Sequence, residues 1–227
     1  MMEKLSLLLT GSFLGIVDGI FNPCALAVFF FLMAYLTAIA SRRKCLLIGI
    51  AYTTSIFLVY SLFMFGLFNF FSYLEFLPGL KFLLAIIILI IAIIELKDFF
   101  AYGKFFSLQI PKSTKPIIEK LVKLSTIPSA FLLGILVSFV EIPCAGGFPL
   151  AYLTILSEKS LNSTLFYIIW YNFFFTLPLL ILTLAFHFGL AKVEKAEKLR
   201  QKTKKYMRLI SGIILLILAL LMLLEKI

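Results

Sequence analysis

The chain has 227 residues, 63% of them hydrophobic and 14% charged, with a formal net charge of +10. That balance excludes a soluble globule, and three cysteines without a C-x-x-C motif exclude a disulfide-stapled secreted fold. Nucleic-acid binding is excluded by where the basic residues fall: they gather in a few stretches between long apolar runs, the pattern that sets orientation in a membrane.

In chain order, Lys4 is followed by an apolar run from Leu5 that no small-residue cleavage site ends within signal-peptide length. It therefore reads as the first span rather than a removed signal. Six spans are predicted, at about Leu5–Ala40, Leu46–Phe71, Leu80–Leu96, Ile127–Leu156, Leu161–Phe188 and Leu209–Leu224. With 26 Phe and one Trp, lipid-facing bulk comes from Phe, Leu and Ile. A polar segment with Pro111, Pro116 and five lysines from Lys104 to Lys123 separates the third span from the fourth. It divides a single membrane domain into repeat one (about residues 1–98), a linker (about 99–126) and repeat two (about 127–227). Within the linker, Ile117 to Leu124 is expected to form a short amphipathic helix at the membrane surface.

Of the 21 Lys and Arg residues, 17 follow spans one, three and five. The other four are Lys4, Lys81, Lys159 and Lys226. The asymmetry predicts a multi-pass protein of the cell membrane, with the long loops in the cytoplasm and both termini on the outer face.

Two words recur in the same order. Asn22-Pro23-Cys24-Ala25 is echoed by Ile142-Pro143-Cys144-Ala145, and Ala34-Tyr35-Leu36-Thr37 by Ala151-Tyr152-Leu153-Thr154. They argue for an internal duplication. Three spans per repeat force the second copy to enter the membrane upside down, and such inverted repeats place their shared site near the midplane. The expected fold is all-α: six transmembrane helices in two inverted three-helix repeats, with helices one and four broken at Pro-Cys.

Span one, about 36 residues, makes an unbroken helix of ~54 Å at ~1.5 Å per residue, against a hydrocarbon core of ~30 Å. Pro23 is the expected break, because it lacks an N–H and clashes with the preceding turn. Span four repeats the problem, with Pro143, Gly146, Gly147 and Pro149 as softening elements. If Asn22 caps a new half-helix, Cys24 lies in its first turn, where backbone N–H groups and the positive dipole end favour a thiolate. Unwound backbone in a bilayer survives only beside protein or water, so a break implies a cavity. Asp18 and Glu141 are buried acids close to the two breaks and are candidates to accept the protons that thiol oxidation releases. Cys45 has no partner in the second repeat and reads as a small hydrophobe. His187 reads as interfacial, and Asn172, Thr176 and Pro178 suit either a cavity wall or helix–helix hydrogen bonding. No nucleotide loop, Ser-His-Asp set or His/Glu metal cluster is present, so no cofactor or metal is expected.

The topology and the two Pro-Cys motifs resemble the CcdA family of cytochrome c biogenesis proteins and the transmembrane domain of the thiol:disulfide interchange protein DsbD. The resemblance covers nearly the whole chain by topology, though the matching motifs are short. It implies that Cys24 and Cys144 are a redox pair taking reducing equivalents from cytoplasmic thioredoxin and passing them to thioredoxin-like proteins on the outer face, in support of cytochrome c maturation. It also implies an electron carrier of thiol–disulfide oxidoreductase type that uses the lipid bilayer and separate partner chains, since DsbD's soluble domains are absent. The chain departs from the pattern after Cys24, where many relatives carry a further proline. Glycines 146 and 147 are candidate hinges for opening to each side in turn. The rival expectation is a small-solute or soft-metal-ion transporter with no redox role, because broken helices in inverted repeats also build transport sites and paired thiolates suit Cu(I).

Overall fold

A computed structural model describes residues 2–74, 79–100, 112–156, 161–189 and 192–224. The described residues are almost wholly helical. Helices α1 (Met2–Phe21) and α2 (Pro23–Ile39) are separated by Asn22 alone. They are followed by α3 (Arg42–Leu74), α4 (Leu80–Phe100), a 3₁₀ turn at Lys112–Thr114, α5 (Lys115–Leu124) and α6 (Ile127–Ala145). The chain continues in α7 (Gly147–Leu156), α8 (Leu161–His187) and α9 (Val193–Leu223). Four helices, α1, α3, α8 and α9, are long and apolar enough to cross a membrane, and the bent pair α6–α7 makes a fifth. The chain is a multi-pass membrane protein by that measure.

The first long run is divided as its length requires. Asn22 leaves the helical region at φ −80° and ψ 99°, and Pro23 opens α2 at the position where a missing N–H costs nothing. The second break is built differently. Helical structure continues through Pro143 as far as Ala145, and α6 and α7 meet at 79°. The bend falls between Ile142 and Gly147, a stretch that holds both Pro143 and Gly146. Gly146 has an ordinary helical φ of −61°, so close approach is what keeps this corner small. A Cβ on Gly147 would stand 2.9 Å from Leu215 of α9. Pro149 lies buried in the first turn of α7, where its missing donor has no intrahelical partner to lose.

A second difference concerns the basic stretch before the last span. Lys192 to Arg208 is expected as loop, yet α9 is helical from Val193 onward. Lys, Arg, Glu and Gln are strong helix formers, so a charged half continues directly into the apolar half. Arg208 is not a loop cation at all. It is buried between α9 and α4, where it pairs with Asp98 and lies 3.7 Å from Glu95. Lys97 reaches the same Asp98 at 2.9 Å. Removing one partner from such a buried set strands the others, at about 3–5 kcal/mol.

The helices pack chiefly as α4 on α9, α1 on α8, α3 on α6 and α3 on α8. Glycines permit the closest of these approaches. Gly11, Gly15 and Gly19 recur every fourth residue along α1 and face Tyr152, the Tyr171 carbonyl and the Phe175 carbonyl in turn. Gly134 of α6 meets the Tyr52 carbonyl of α3 in the same manner. The short helix α5, which spans the amphipathic Ile117–Leu124 stretch, buries Ile118 and Val122. A Cβ at Gly19 would stand 2.2 Å from the Phe175 oxygen, whereas Gly66 has nothing within 4 Å. Gly19→Ala is therefore expected to cost about 1–3 kcal/mol by overpacking, with Gly66→Ala neutral or stabilising by up to about 1 kcal/mol. Thermal unfolding of the two variants followed by circular dichroism tests this, and equal midpoints would refute the close-approach account.

Candidate functional site

Asn22 is the hinge between α1 and α2, and each end of its side chain is used. Its Oδ1 accepts hydrogen bonds from the Cys24 N–H at 3.1 Å and the Ala25 N–H at 3.4 Å, capping α2. Its Nδ2 donates to Glu141 Oε1 at 3.1 Å, across 119 positions of sequence. The side chain thus ties the first break to the helix that carries the second. Both residues are fully enclosed: Glu141 has no exposure and Asn22 is 3% exposed.

Cys24 sits in the first turn of α2 and is 4% exposed. Its placement matches the expectation, but its surroundings correct one part of it. The backbone N–H groups expected to point at the sulfur are engaged by the Asn22 side chain instead, since an N-cap amide is the nearer and better acceptor. What faces Cys24 is Glu141, together with Tyr52 from α3. The Tyr52 hydroxyl donates to the Ala25 carbonyl at 3.3 Å, holding the first turn of α2 against α3.

Glu141 also faces Tyr60 and Asp18. Asp18 lies one turn before Asn22 and accepts a hydrogen bond from the Tyr171 hydroxyl at 2.8 Å. Tyr171 stacks on Tyr152 with ring centroids 5.2 Å apart, and the Tyr152 hydroxyl donates to the Leu7 carbonyl at 3.2 Å. The arrangement is a buried polar seam that includes a thiol, two carboxyl groups, an amide and several phenols, walled by helices from both halves of the chain. Such a seam can hold protons beside a sulfur and exclude bulk water. Access to Cys24 requires the helices around it to part.

Among the residues singled out from sequence, Asp18, Asn22, Cys24 and Glu141 are brought together. The Cys144 side chain lies outside the described residues, and with it the separation of the two sulfurs. The backbone of Cys144 belongs to the last turn of α6, whereas Cys24 follows its break. The two positions are equivalent in sequence, and Cys144 lies within the stretch, 143–146, over which α6 and α7 bend. Gly146, Gly147 and Pro149 line the corner, a few residues beyond the seam. Cys45 stands apart near the start of α3. Asn172 and Thr176 make hydrogen bonds within their own helix, to the carbonyls of Ile168 and Asn172, with Asn172 also reaching Met64 Sδ at 3.3 Å. The His187 ring meets the Arg42 carbonyl at 3.2 Å.

Sequence reasoning missed the three tyrosines, Tyr52, Tyr60 and Tyr171. Nothing in their local context marks them, although Tyr52 and Tyr171 are 119 positions apart, the same separation as Asn22 and Glu141. Among the described residues no group of three or more His, Cys, Asp and Glu is placed to hold a metal ion. No protein-family model, curated protein or solved structure matches the chain.

Loss of Asn22 removes a helix cap, worth about 1 kcal/mol, and a hydrogen bond to a buried carboxyl, worth about 1–3 kcal/mol. Asn22→Ala should lose the sum of both in thermal unfolding, and Asn22→Ser, which keeps the cap, only the second part. Identical losses in the two variants would show that the bond to Glu141 contributes nothing.

Proposed function

We propose that this protein carries reducing equivalents across a membrane by thiol–disulfide exchange at Cys24 and Cys144. The observation that carries the reading is the hydrogen bond from Asn22 to Glu141, which draws together the two residues leading into the two Pro-Cys segments. A buried seam of carboxyl and phenol groups beside Cys24 suits a reaction that takes up and releases protons.

In this reading the helices form six spans in two inverted repeats: α1 with α2, α3 and α4, then α6 with α7, α8 and α9. The packing supports it. Exchanging the repeats turns the α1–α8 contact into α6–α3 and the α2–α9 contact into α7–α4, while α3–α8 and α4–α9 map onto themselves. At finer scale, Gly15 against the Tyr171 carbonyl has its counterpart in Gly134 against the Tyr52 carbonyl. Both members are shifted by 119 positions, one fewer than the 120 that relate the Pro-Cys words, so Glu141 stands one residue before the position that the words pair with Asn22. The Asn22–Glu141 bond then crosses the pseudo-twofold axis, where inverted repeats place their common site. With the basic ends of the spans toward the cytoplasm, both termini lie on the outer face.

The cycle follows the CcdA and DsbD resemblance. A thiolate of reduced cytoplasmic thioredoxin attacks one sulfur of a Cys24–Cys144 disulfide, forming a mixed disulfide. The second thioredoxin thiolate displaces the carrier, leaving thioredoxin oxidised and the carrier holding two electrons and two protons as a dithiol. After the helices rearrange, a carrier thiolate attacks the disulfide of a thioredoxin-like protein on the outer face, and the second cysteine resolves that adduct. The protein partner leaves reduced and the carrier disulfide is restored. Glu141, and Asp18 behind it, are the groups placed to take the protons released as the carrier is reoxidised. Thiol maintenance for haem attachment to apocytochromes c is the task this relay serves.

Alkylation of membranes followed by non-reducing electrophoresis tests the proposal. It expects a reversible Cys24–Cys144 link, which requires Cα atoms within ~7 Å. It also expects a mixed disulfide with the outer-face thioredoxin-like protein that accumulates when Cys24→Ser or Cys144→Ser removes the carrier's resolving thiol, and a cytoplasmic thioredoxin adduct that accumulates when thioredoxin's own second cysteine is replaced by serine. Two thiols that remain alkylatable under oxidation, or solute flux unaffected by both substitutions, would favour a transporter instead. Glu141→Gln is expected to slow exchange and to flatten its pH dependence between about pH 6 and 8, as removal of a general base does. An unchanged profile would remove Glu141 from proton handling.

A further inference from the structure

Helices α2, α8 and α9 leave between them a cleft that thiol exchange does not use. At one end is a pocket of about 470 Å³ whose polar lining is Thr37, Arg42, Cys45, Lys192 and Glu194. Further along these helices, and walled also by Ile16 and Ile20 of α1, is a cavity of about 490 Å³, apolar apart from Arg200 and Thr203. The two lie in line as one cleft, parted by Phe30 and Phe186, whose rings meet edge-on at 6.1 Å and which an acyl chain passing from one to the other must push aside. On α2 its wall runs Leu26, Phe30, Ala34, each one turn from the next. On α8 it runs Pro178, Leu182, Phe186, and on α9 Val193, Ala196, Arg200 and Thr203.

The ends differ in charge. At the mouth, α3 begins at Arg42 and α9 begins at Val193, with a cap residue, Lys192, that makes no side-chain cap bond. Two helix N-termini and two cations therefore converge there. The Arg42 guanidinium lies 3.7 Å from where a Cβ on Gly189 would stand, beside the left-handed turn that ends α8. Among the described residues neither Arg42 nor Lys192 is in an ion pair, and Glu194 is the one acid in the lining. In the body of the channel Arg200 is held by two 2.7 Å bonds to Glu197, so its charge is answered within α9. From Val193 to Met207 the channel runs ~21 Å at ~1.5 Å per residue, enough for a headgroup and the chain of one leaflet, half of a ~30 Å core.

We propose that this cleft binds one anionic phospholipid, with its phosphate between Arg42 and Lys192 and one acyl chain along the apolar body. The surrounding lysines of α9, Lys195, Lys198 and Lys202, are exposed and add to the attraction. Native mass spectrometry of the full chain, released from detergent with equimolar phosphatidylglycerol and phosphatidylcholine, tests it. Phosphatidylglycerol adducts should exceed phosphatidylcholine adducts by roughly thirtyfold, the factor that two cations at a lipid surface contribute. The double variant Arg42→Ala, Lys192→Ala should abolish the preference without lowering total lipid retained. Ala34→Trp, which blocks the channel at an exposed position between mouth and body, should lower retention of both lipids while helical content is unchanged. Equal retention of the two lipids by the native chain, or a preference that survives the double variant, would overturn the proposal. So would displacement of the adducts by inorganic phosphate alone, which would make the mouth a simple anion site. None of these readouts depends on Cys24 or Cys144.

Discussion

The hydrogen bond from Asn22 to Glu141 is the constraint on which the centre of the molecule depends. A carboxyl group enclosed by helices must be answered by donors, and an interrupted helix must have its first N–H groups satisfied. One amide side chain does both. Because its oxygen faces α2 and its nitrogen faces α6, the position of each break is set by reference to the other. Moving either segment alone leaves a buried carboxyl or a helix end without its partner. The two interruptions are therefore coupled, and a shift at one is felt at the other.

The rest of the fold serves that meeting point. Gly15 and Gly19 bring α1 against the backbone of α8, close enough for the Tyr171 hydroxyl to reach Asp18. Gly134 brings α6 against α3, close enough for Tyr52 and Tyr60 to face the same seam. Small residues thus set the distances and phenols fill the space they leave, the Tyr171 hydroxyl on Asp18 and the Tyr52 and Tyr152 hydroxyls on backbone carbonyls. The seam is enclosed by helices, with Asp18, Asn22, Cys24 and Glu141 all buried. Cys24 follows a one-residue break opened by Pro23, whereas the second interruption is a 79° bend between Ile142 and Gly147.

Helix α9 combines two roles in one continuous element. Its first half is basic and covers the α2–α8 cleft, and its second half is apolar and packs on α4. Arg208 marks the junction, held by Asp98 and Glu95 where an unpaired charge would be costly. That ionic contact fastens the last helix of one half to the last helix of the other, away from the thiol.

Composition and the length of the apolar runs determined the class of this protein, because a bilayer fixes how long a span must be and leaves few alternatives. The repeated Pro-Cys-Ala and Ala-Tyr-Leu-Thr words marked Cys24, Asn22, Asp18 and Glu141 as a set, since local motifs and buried acids are visible one residue at a time. The tyrosines were not legible, for they become special only through which helices touch. Neither was the identity of Arg208, which reads as one more basic loop residue until α4 is laid against α9. The sharpness of the second bend was hidden for a similar reason: Pro143, Gly146 and Gly147 signal an interruption, but its 79° angle exists only once α6 and α7 have packed, with Gly147 against Leu215. Patterns along the chain are set by short-range sterics and by the solvent, whereas a hydrogen bond spanning 119 positions exists only after whole helices have found their neighbours.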